Sequence, residues 1–407
     1  MKNRIVVVGG GPAGMMAAII AANNGGDVII LERNDRVGKK LLATGNGRCN
    51  YTNVDLSINN YHGQDNQFAQ WALNNFDVET TIDYFEKLGI TPAVEDGGKV
   101  YPLSFQSSSM LDILRYEIEE KNIELITEAY VVDIKKKKNF IIKLKDGKTF
   151  EADKLILATG GMAMPVSGSD GNGYTLARSL GHNFIPIHPG IVQLNLEGNF
   201  FKQIDGVKVV GVAKLYSKDK LILKDSGDIL FTKYGISGPP ILQLSRTALE
   251  YLKDGKDIEL RVSIIHTKTS KELVTYLYER FKNKSNKTAQ ESLVGLINKR
   301  LILPILREVN IDKDKFVGDL SKVEVEKISQ ILTNWTFKIT GSQSWGQAQV
   351  TAGGISTLDV DYKTMESKLV KGLYLVGELL DIDGDCGGYN LQWAWSSGYI
   401  AGKEAVK

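Results

Sequence analysis

A Gly-x-Gly-x-x-Gly run at Gly9, Gly11 and Gly14, set between two stretches of opposite character, constrains this chain more than any other feature. Before it, Ile5-Val6-Val7-Val8 is short and β-branched, the composition of a strand buried in a parallel sheet. After it, Pro12 and Ala13 open an Ala- and Met-rich stretch that reads as a buried helix, with Pro where a first helical turn accepts it. Val28-Ile29-Ile30-Leu31 reads as a second buried strand, and Glu32 closes it. Strand, glycine turn, helix, strand and terminal acid in this order form the dinucleotide fingerprint in the context it requires.

Each glycine has a separate task in that motif. Gly9 permits the tight turn off the strand, Gly11 lets the backbone approach a pyrophosphate, and Gly14 lets the helix lie close to the sheet. The N–H groups opening the helix then face the diphosphate, where the helix dipole adds about 0.3–1 kcal/mol. Glu32 is placed to accept hydrogen bonds from ribose hydroxyls, which disfavours a 2′-phosphate; Arg33 follows it, so an NADP reading is weakened rather than removed.

Residues 5–26 carry no charge and follow Lys2 and Arg4, the outline of a signal peptide or membrane anchor. Gly9-Gly10-Gly11-Pro12 would break such a helix in its first third, so the expectation is a soluble, cytoplasmic chain with no membrane partner. At roughly 150 residues per domain, 407 residues predict two to three domains. Fifty Lys and Arg against 48 Asp and Glu leave +2, so no global field argues for nucleic acid, and none is expected as a partner. Two cysteines exclude a disulfide framework and a four-thiolate zinc site, and with four histidines no metal centre is expected.

Other segments choose between FAD and NAD. The long connection after Glu32 contains Lys40, Leu41, Thr44, Gly45, Asn46, Gly47, Arg48 and Cys49, and suits a ligand extending past its first nucleotide half. Residues 154–158 read as a buried strand ending in Thr159-Gly160-Gly161, a turn that returns the chain to the cofactor in two-dinucleotide-type flavoproteins. Near the C-terminus another strand leads into Gly377, Glu378 and Asp381, and then Cys386-Gly387-Gly388-Tyr389-Asn390 opens a helical stretch from Leu391. Amides at that helix start suit the negative charge at the N1/O2 edge of a reduced flavin. Three distant segments converging on one ligand describe FAD better than NAD.

These segments, with Asn50, residues 230–239 and Val350-Thr351-Ala352-Gly353-Gly354-Ile355, resemble the BaiN-like family of bacterial NAD(P)/FAD-dependent flavoproteins, in order and over essentially the whole chain. The resemblance implies non-covalent FAD in an α/β fold, with a two-dinucleotide-type Rossmann-like domain, an inserted β-barrel-like domain and a small helical domain. It implies chemistry of the kind linked to that family, bile-acid ring reduction or aminoacetone oxidation. Thr44 and Asn46 stand where many relatives carry Ser and Gly, and the resemblance carries over no catalytic residue.

Residues 68–89 and 107–121 read as amphipathic helices. From 124 to 157 the pattern is strand, turn, strand, strand, with Lys135-Lys136-Lys137-Lys138 as a solvated hairpin edge; Val131 lies where related flavoproteins meet adenine. The expected division is an FAD domain over 1–190 and 350–407, a barrel-like insert over 191–266 and 334–349, and a helical insert over 267–333 broken at Pro304. The insertion is expected to wall the substrate cavity.

No Ser/His/Asp ordering, metal spacing or Walker loop emerges, and no second fingerprint marks a dedicated NAD(P)H domain. Either a nicotinamide visits transiently or the substrate itself reduces the flavin. Gly168-Ser169-Asp170-Gly171-Asn172-Gly173 reads as a loop capping the helix from Tyr174. Cys49 and Cys386 read as packed thiols, with a redox pair as the alternative, and His182 as a helix C-cap. His188 reads as a structural hydrogen-bonding group, with substrate protonation as its alternative; Arg48 reads as serving the cofactor loop before a substrate acid. The sequence therefore predicts an FAD-dependent oxidoreductase moving hydride between flavin N5 and a small amine, alcohol or enone/steroid-like substrate, with NAD(P)H or O2 as second substrate. The alternative is a flavin-bound redox sensor or interaction protein using Cys49 or Cys386. Catalytic groups and oligomeric state stay unassigned.

Overall fold

Arg4–Val8 is the middle strand of a five-stranded parallel sheet ordered Leu373–Leu375, Lys154–Leu157, Arg4–Val8, Asp27–Leu31, Glu124–Ile126. Successive strands step outward on one side of Arg4–Val8, and the fourth returns to its other side. The order thus reverses between Arg4–Val8 and Lys154–Leu157, the place where open α/β sheets leave a crevice beyond the strand ends. The computed structural model describes residues 3–407 and divides them into two compact units, one ending at Pro189 and resuming over Ala348–Lys407, the other spanning Gly190–Gln347. The α/β Rossmann frame expected from the fingerprint is the first of these.

The helix Pro12–Asn23 is buried from Ala13 to Ala21, because the sheet covers one side and the last helix, Tyr389–Ala405, covers another. That packing depends on missing side chains. A Cβ on Gly398 would lie 2.5 Å from the Ala13 carbonyl oxygen, and one on Gly402 would strike the Ala17 carbonyl. The second unit closes a six-stranded barrel from Leu194–Leu196, Gly235–Ser237, Lys220–Thr232, Lys208–Ser217, Glu259–Ser263 and Trp335–Ser342. Trp335, Phe337 and Phe231 pack together there as a buried aromatic cluster. Its helices Ser270–Lys282, Ala289–Leu293 and Lys322–Asn334 each open with a capping box, at Thr269 and Glu272, Thr288 and Glu291, and Ser321 and Glu324.

Three local readings need correction. The stretch 68–89 is broken: helix Gln70–Asn75 stops at Phe76, and Asp77 caps a new helix, Val78–Lys87, by accepting the Thr80 N–H. Residues 124–157 hold five strands, because Val131–Lys136, Phe140–Leu144 and Thr149–Ala152 form a separate antiparallel sheet between Glu124–Ile126 and Lys154–Leu157. Pro304 breaks nothing. It lies inside helix Lys299–Glu308, where burial of Leu301, Ile302, Ile305 and Leu306 outweighs the one hydrogen bond a proline forfeits.

Gly398→Val is expected to lower stability by about 1–3 kcal/mol, because a branched side chain forces the last helix off the first. Thermal unfolding read through the buried Trp393 and Trp395 measures it, and an unchanged midpoint would contradict this packing.

Candidate functional site

At the sheet's reversal the three glycines meet three different surroundings. Gly9, at φ +104°, lies so near the neighbouring strand end that a Cβ would come within 2.5 Å of the Ala158 carbonyl oxygen. A Cβ on Gly14 would strike the Gly9 carbonyl, so the helix rests directly on the turn. At Gly11 a Cβ would meet nothing within 4 Å. No side chain caps the helix that Gly11 opens, and Pro12 at its first position has no N–H. The following amides, beginning with Ala13, are therefore left for an anion.

Glu32 is buried, and its carboxylate fastens the second strand to this turn. Oε2 accepts the Gly10 N–H at 2.8 Å, and Oε1 accepts the backbone and side-chain N–H of Asn34, each at 2.8 Å. Arg33 ion-pairs with Asp170 and stacks on the Tyr130 ring, 4.6 Å from its centroid. Val131 is buried, and its carbonyl accepts Asn172 Nδ2 at 2.8 Å. The stretch 168–173 leads into helix Asn172–Ser179 and is held against Arg33 and Val131 by these contacts.

Four chain segments build one polar cluster beside the glycine turn. Lys40 Nζ lies 2.6 Å from Glu378 Oε2, and Glu378 Oε1 accepts the Thr351 N–H at 2.9 Å. Thr351 Oγ1 accepts the N–H groups of Met162 and Ala163 at 2.8 and 3.1 Å. Gly161 fits because a Cβ there would sit 2.8 Å from Glu378 Oε1, and one on Gly377 would lie 3.0 Å from the Ala13 Cβ. A Cβ on Gly160 would sit 2.8 Å from Ser169 Oγ.

The loop from Thr44 to Cys49 is built on left-handed backbone, with φ of 56° at Gly45, 55° at Asn46, 83° at Gly47 and 60° at Cys49. Asn tolerates that region better than most side chains, whereas Cys49 is held there by its surroundings. Leu41 is buried, and its carbonyl accepts Thr44 Oγ1 at 2.7 Å. Arg48 pairs with Glu95 at 3.0 Å and lies over the Tyr101 ring at 4.3 Å, so protein groups already engage its guanidinium.

Residues 50–53 dock on the start of the last helix. Asn53 Nδ2 donates to the Gly387 carbonyl at 2.9 Å, Trp395 Nε1 to the Tyr51 carbonyl at 3.0 Å, and a Cβ on Gly388 would crowd Asn50 Oδ1 at 2.8 Å. Asp381 Oδ2 accepts the Gln64 N–H at 2.9 Å, and the Tyr389 carbonyl accepts the Tyr61 hydroxyl at 2.9 Å. Both ends of the Asn390 amide bond to the Gly384 backbone, and Leu391 is buried. Asn390 thus shapes the turn before the helix through its side chain. Among the buried polar atoms without a hydrogen-bond partner are Thr159 Oγ1 and Asn50 Oδ1. Open space at Gly11 and these two atoms, on separate segments, fit a dinucleotide cofactor such as FAD.

The sequence reading gave no individual role to several polar residues here. Thr351 and Asn34 organise the cluster and the glycine turn, and Asp170 holds Arg33. His62 Nε2 lies 2.8 Å from Asp385 Oδ1, because the short strand Tyr61–His62 pairs with Asp383–Gly384. Nothing in the spacing of His62 and Asp385, 323 residues apart, announces that pair. His182 is a C-cap as read: Nδ1 donates to the Ala177 carbonyl at 3.0 Å, while Nε2 meets Ser367 Oγ at 2.8 Å, and burial lowers its pKa. His188 is half-buried on the strand Phe184–Gly190.

Burial pushes the Cys49 thiol up to about 12, so it stays protonated and unreactive at neutral pH. Cys386 is only half-buried. Alkylation of the native protein at pH 8 is therefore expected to modify at most one of the two thiols, and both only after denaturation. Two rapid native modifications, counted by intact mass, would refute the burial of Cys49.

Among the described residues, no helix is long and apolar enough to cross a membrane. The chain is 39% identical over 382 residues to a 3-dehydro-bile acid delta(4,6)-reductase of Clostridium scindens, covering 93% of each sequence. It is 29% identical over 380 residues to a ribosomal RNA dihydrouridine synthase of Escherichia coli, covering 93% of this chain and 92% of that one. The chain also resembles a solved 3-ketosteroid-delta4-(5alpha)-dehydrogenase of Rhodococcus jostii, at 16% identity and a TM-score of 0.49 over 100% of this chain and 97% of that one. The resemblance to BaiN-like flavoproteins holds, and the chain is a flavin-dependent oxidoreductase with FAD as its cofactor. The HI0933-like protein Rossmann domain matches residues 3–404, and the chain belongs to that family.

Proposed function

We propose that this oxidoreductase saturates a carbon–carbon double bond conjugated to a carbonyl. The observation that carries this reading is the near full-length similarity to two reductases whose named substrates differ in everything but their reacting group. A 3-oxo steroid unsaturated at positions 4 and 6 and a uracil ring each present an alkene polarised by a carbonyl. FAD held here would supply the hydride, received by the carbon β to that carbonyl, and a proton added at the α carbon would complete the reduction.

The protein's part is to hold, orient and compensate. The turn at Gly9, Gly11 and Gly14, with Pro12 and Ala13, would receive the diphosphate, and Glu32 would accept from a ribose hydroxyl while keeping its bond to Gly10. Thr159 Oγ1 and Asn50 Oδ1 gain partners when the crevice fills. Gly388, at φ 99° with no side-chain cap, starts a seventeen-residue helix whose first amides would favour negative charge on a flavin ring held there. His62, oriented by Asp385 just before that helix, is able to hold and pass a proton. NAD(P)H is the reductant in this reading, visiting transiently because no second fingerprint provides it a domain. The sensor alternative is weakened by the protonated state of Cys49.

Two outcomes test the reading. Gly11→Val is expected to fold with an unchanged melting profile, since no protein atom lies within 4 Å of the new Cβ, yet to purify without flavin. A yellow, stoichiometrically loaded variant would refute the cradle. Anaerobically reduced holoenzyme mixed with a 3-oxo-4-ene steroid or a uridine-containing RNA is expected to regain the oxidised flavin spectrum, and saturated analogues to leave it reduced. If neither substrate reoxidises the flavin while an amine or alcohol bleaches the oxidised form, the enzyme is an oxidase or dehydrogenase of another class.

A further inference from the structure

The overall charge of +2 conceals a division. Residues 190–347 carry 25 Lys and Arg against 18 Asp and Glu, a net of +7, which leaves −5 on the rest of the chain. Such asymmetry between units points to an anionic partner for the positive one.

Within that unit the charge gathers at a cavity of about 570 Å³, between the hairpin strands Lys208–Ser217 and Lys220–Thr232, the end of Glu259–Ser263 and the start of helix Ser270–Lys282. Its volume falls in the range of ligand sites. Lys214, Lys224 and Lys268 line it, with His266 and one acid, Glu272. That acid is already engaged, since Glu272 Oε2 accepts the Thr269 N–H and hydroxyl at 2.7 and 2.8 Å. Arg261 is neutralised by Glu259 and by Asp219 at 2.7 Å, whereas among the described residues no carboxylate pairs with the three lysines. Lys214 is half-buried and donates to Ser263 Oγ at 3.1 Å; burial, with Lys224 and Arg261 nearby, holds its pKa below the ordinary lysine value. Lys268 Nζ lies over the Tyr276 ring, 5.5 Å from its centroid, whereas Lys214 and Lys224 repel each other until an anion joins them.

We propose that this cavity binds phosphate esters. Lysine ammonium groups lining one concavity suit an oxyanion of more than one negative charge, and the +7 of the surrounding unit suits a chain of them. The phosphate belongs either to the backbone of a polynucleotide carrying the reducible base or to a dinucleotide reductant. The assignment rests on the proposed function and deepens it by naming a group that its substrate or reductant carries, and it is read from the cavity and the charge of the unit around it.

Equilibrium binding to the FAD-loaded enzyme tests it, with a fluorescent uridine-containing RNA hairpin in one arm and NADPH in the other. The variants are Lys214→Gln, a Lys224→Gln and Lys268→Gln double change at exposed side chains, and Lys202→Gln outside the cavity. The double variant is expected to weaken binding at least tenfold in the arm that holds the true source. If that source is RNA, the slope of log affinity against log salt becomes shallower by about one per lysine removed. Lys202→Gln binds as the parent does, and all variants keep their flavin and their reoxidation by a small enone, so a failure here is separable from failure of the proposed reaction. The proposal is overturned if neither RNA nor NADPH binds, if the cavity variants bind like the parent, or if Lys202→Gln loses as much.

Discussion

The first unit depends on backbone meeting backbone where the first strand turns into the first helix. The turn at Gly9 lies against Ala158, and Gly14 lies against Gly9 itself, so the first turn of one helix and two strand ends meet with no room for a Cβ at either glycine. This contact fixes where the helix begins, and it begins at the sheet's reversal. The same compactness recurs where Gly398 and Gly402 bring the last helix onto the first. A crevice floored by amides follows from these approaches, because every side chain that would have filled it has been removed.

Around that crevice most polar side chains hold protein rather than await a ligand. Glu32 holds the glycine turn, Glu378 holds Lys40 and Thr351, and Asn390 holds Gly384. Such bonds fix the positions of backbone groups, and under the proposed function these backbone groups would receive the diphosphate and the flavin edge. Bonds made within the protein in this way preorganise a site.

Much of this was legible in the sequence because it rests on local rules. The glycine fingerprint, the β-branched strands and the terminal acid are spaced by the geometry of one βαβ unit, and each glycine met the surroundings its position implied. Tertiary partners were not legible. Arg48 read as a cofactor-loop cation, yet Glu95 and Tyr101 engage it through packing that no spacing records. Pro304 read as a break, and burial of the surrounding leucines and isoleucines carried the helix through it. The pair of His62 with Asp385 depends on a two-residue strand alignment. The near-zero total charge argued against nucleic acid, but a sum over the chain says nothing of how charge divides between units. The ribosomal RNA enzyme among the relatives leaves that expectation without support.

The discontinuity of the first unit has a consequence during synthesis. Its fifth strand, Leu373–Leu375, and its closing helix, Tyr389–Ala405, follow Gly190–Gln347 along the chain, and that uninterrupted stretch emerges from the ribosome whole before them. The inserted unit therefore has all its parts while the apolar flanks of Arg4–Val8 and Pro12–Asn23 still lack their cover. Until that strand and helix emerge, the nascent polypeptide exposes the surface most prone to aggregate, and it is in that interval that chaperones have most to shield.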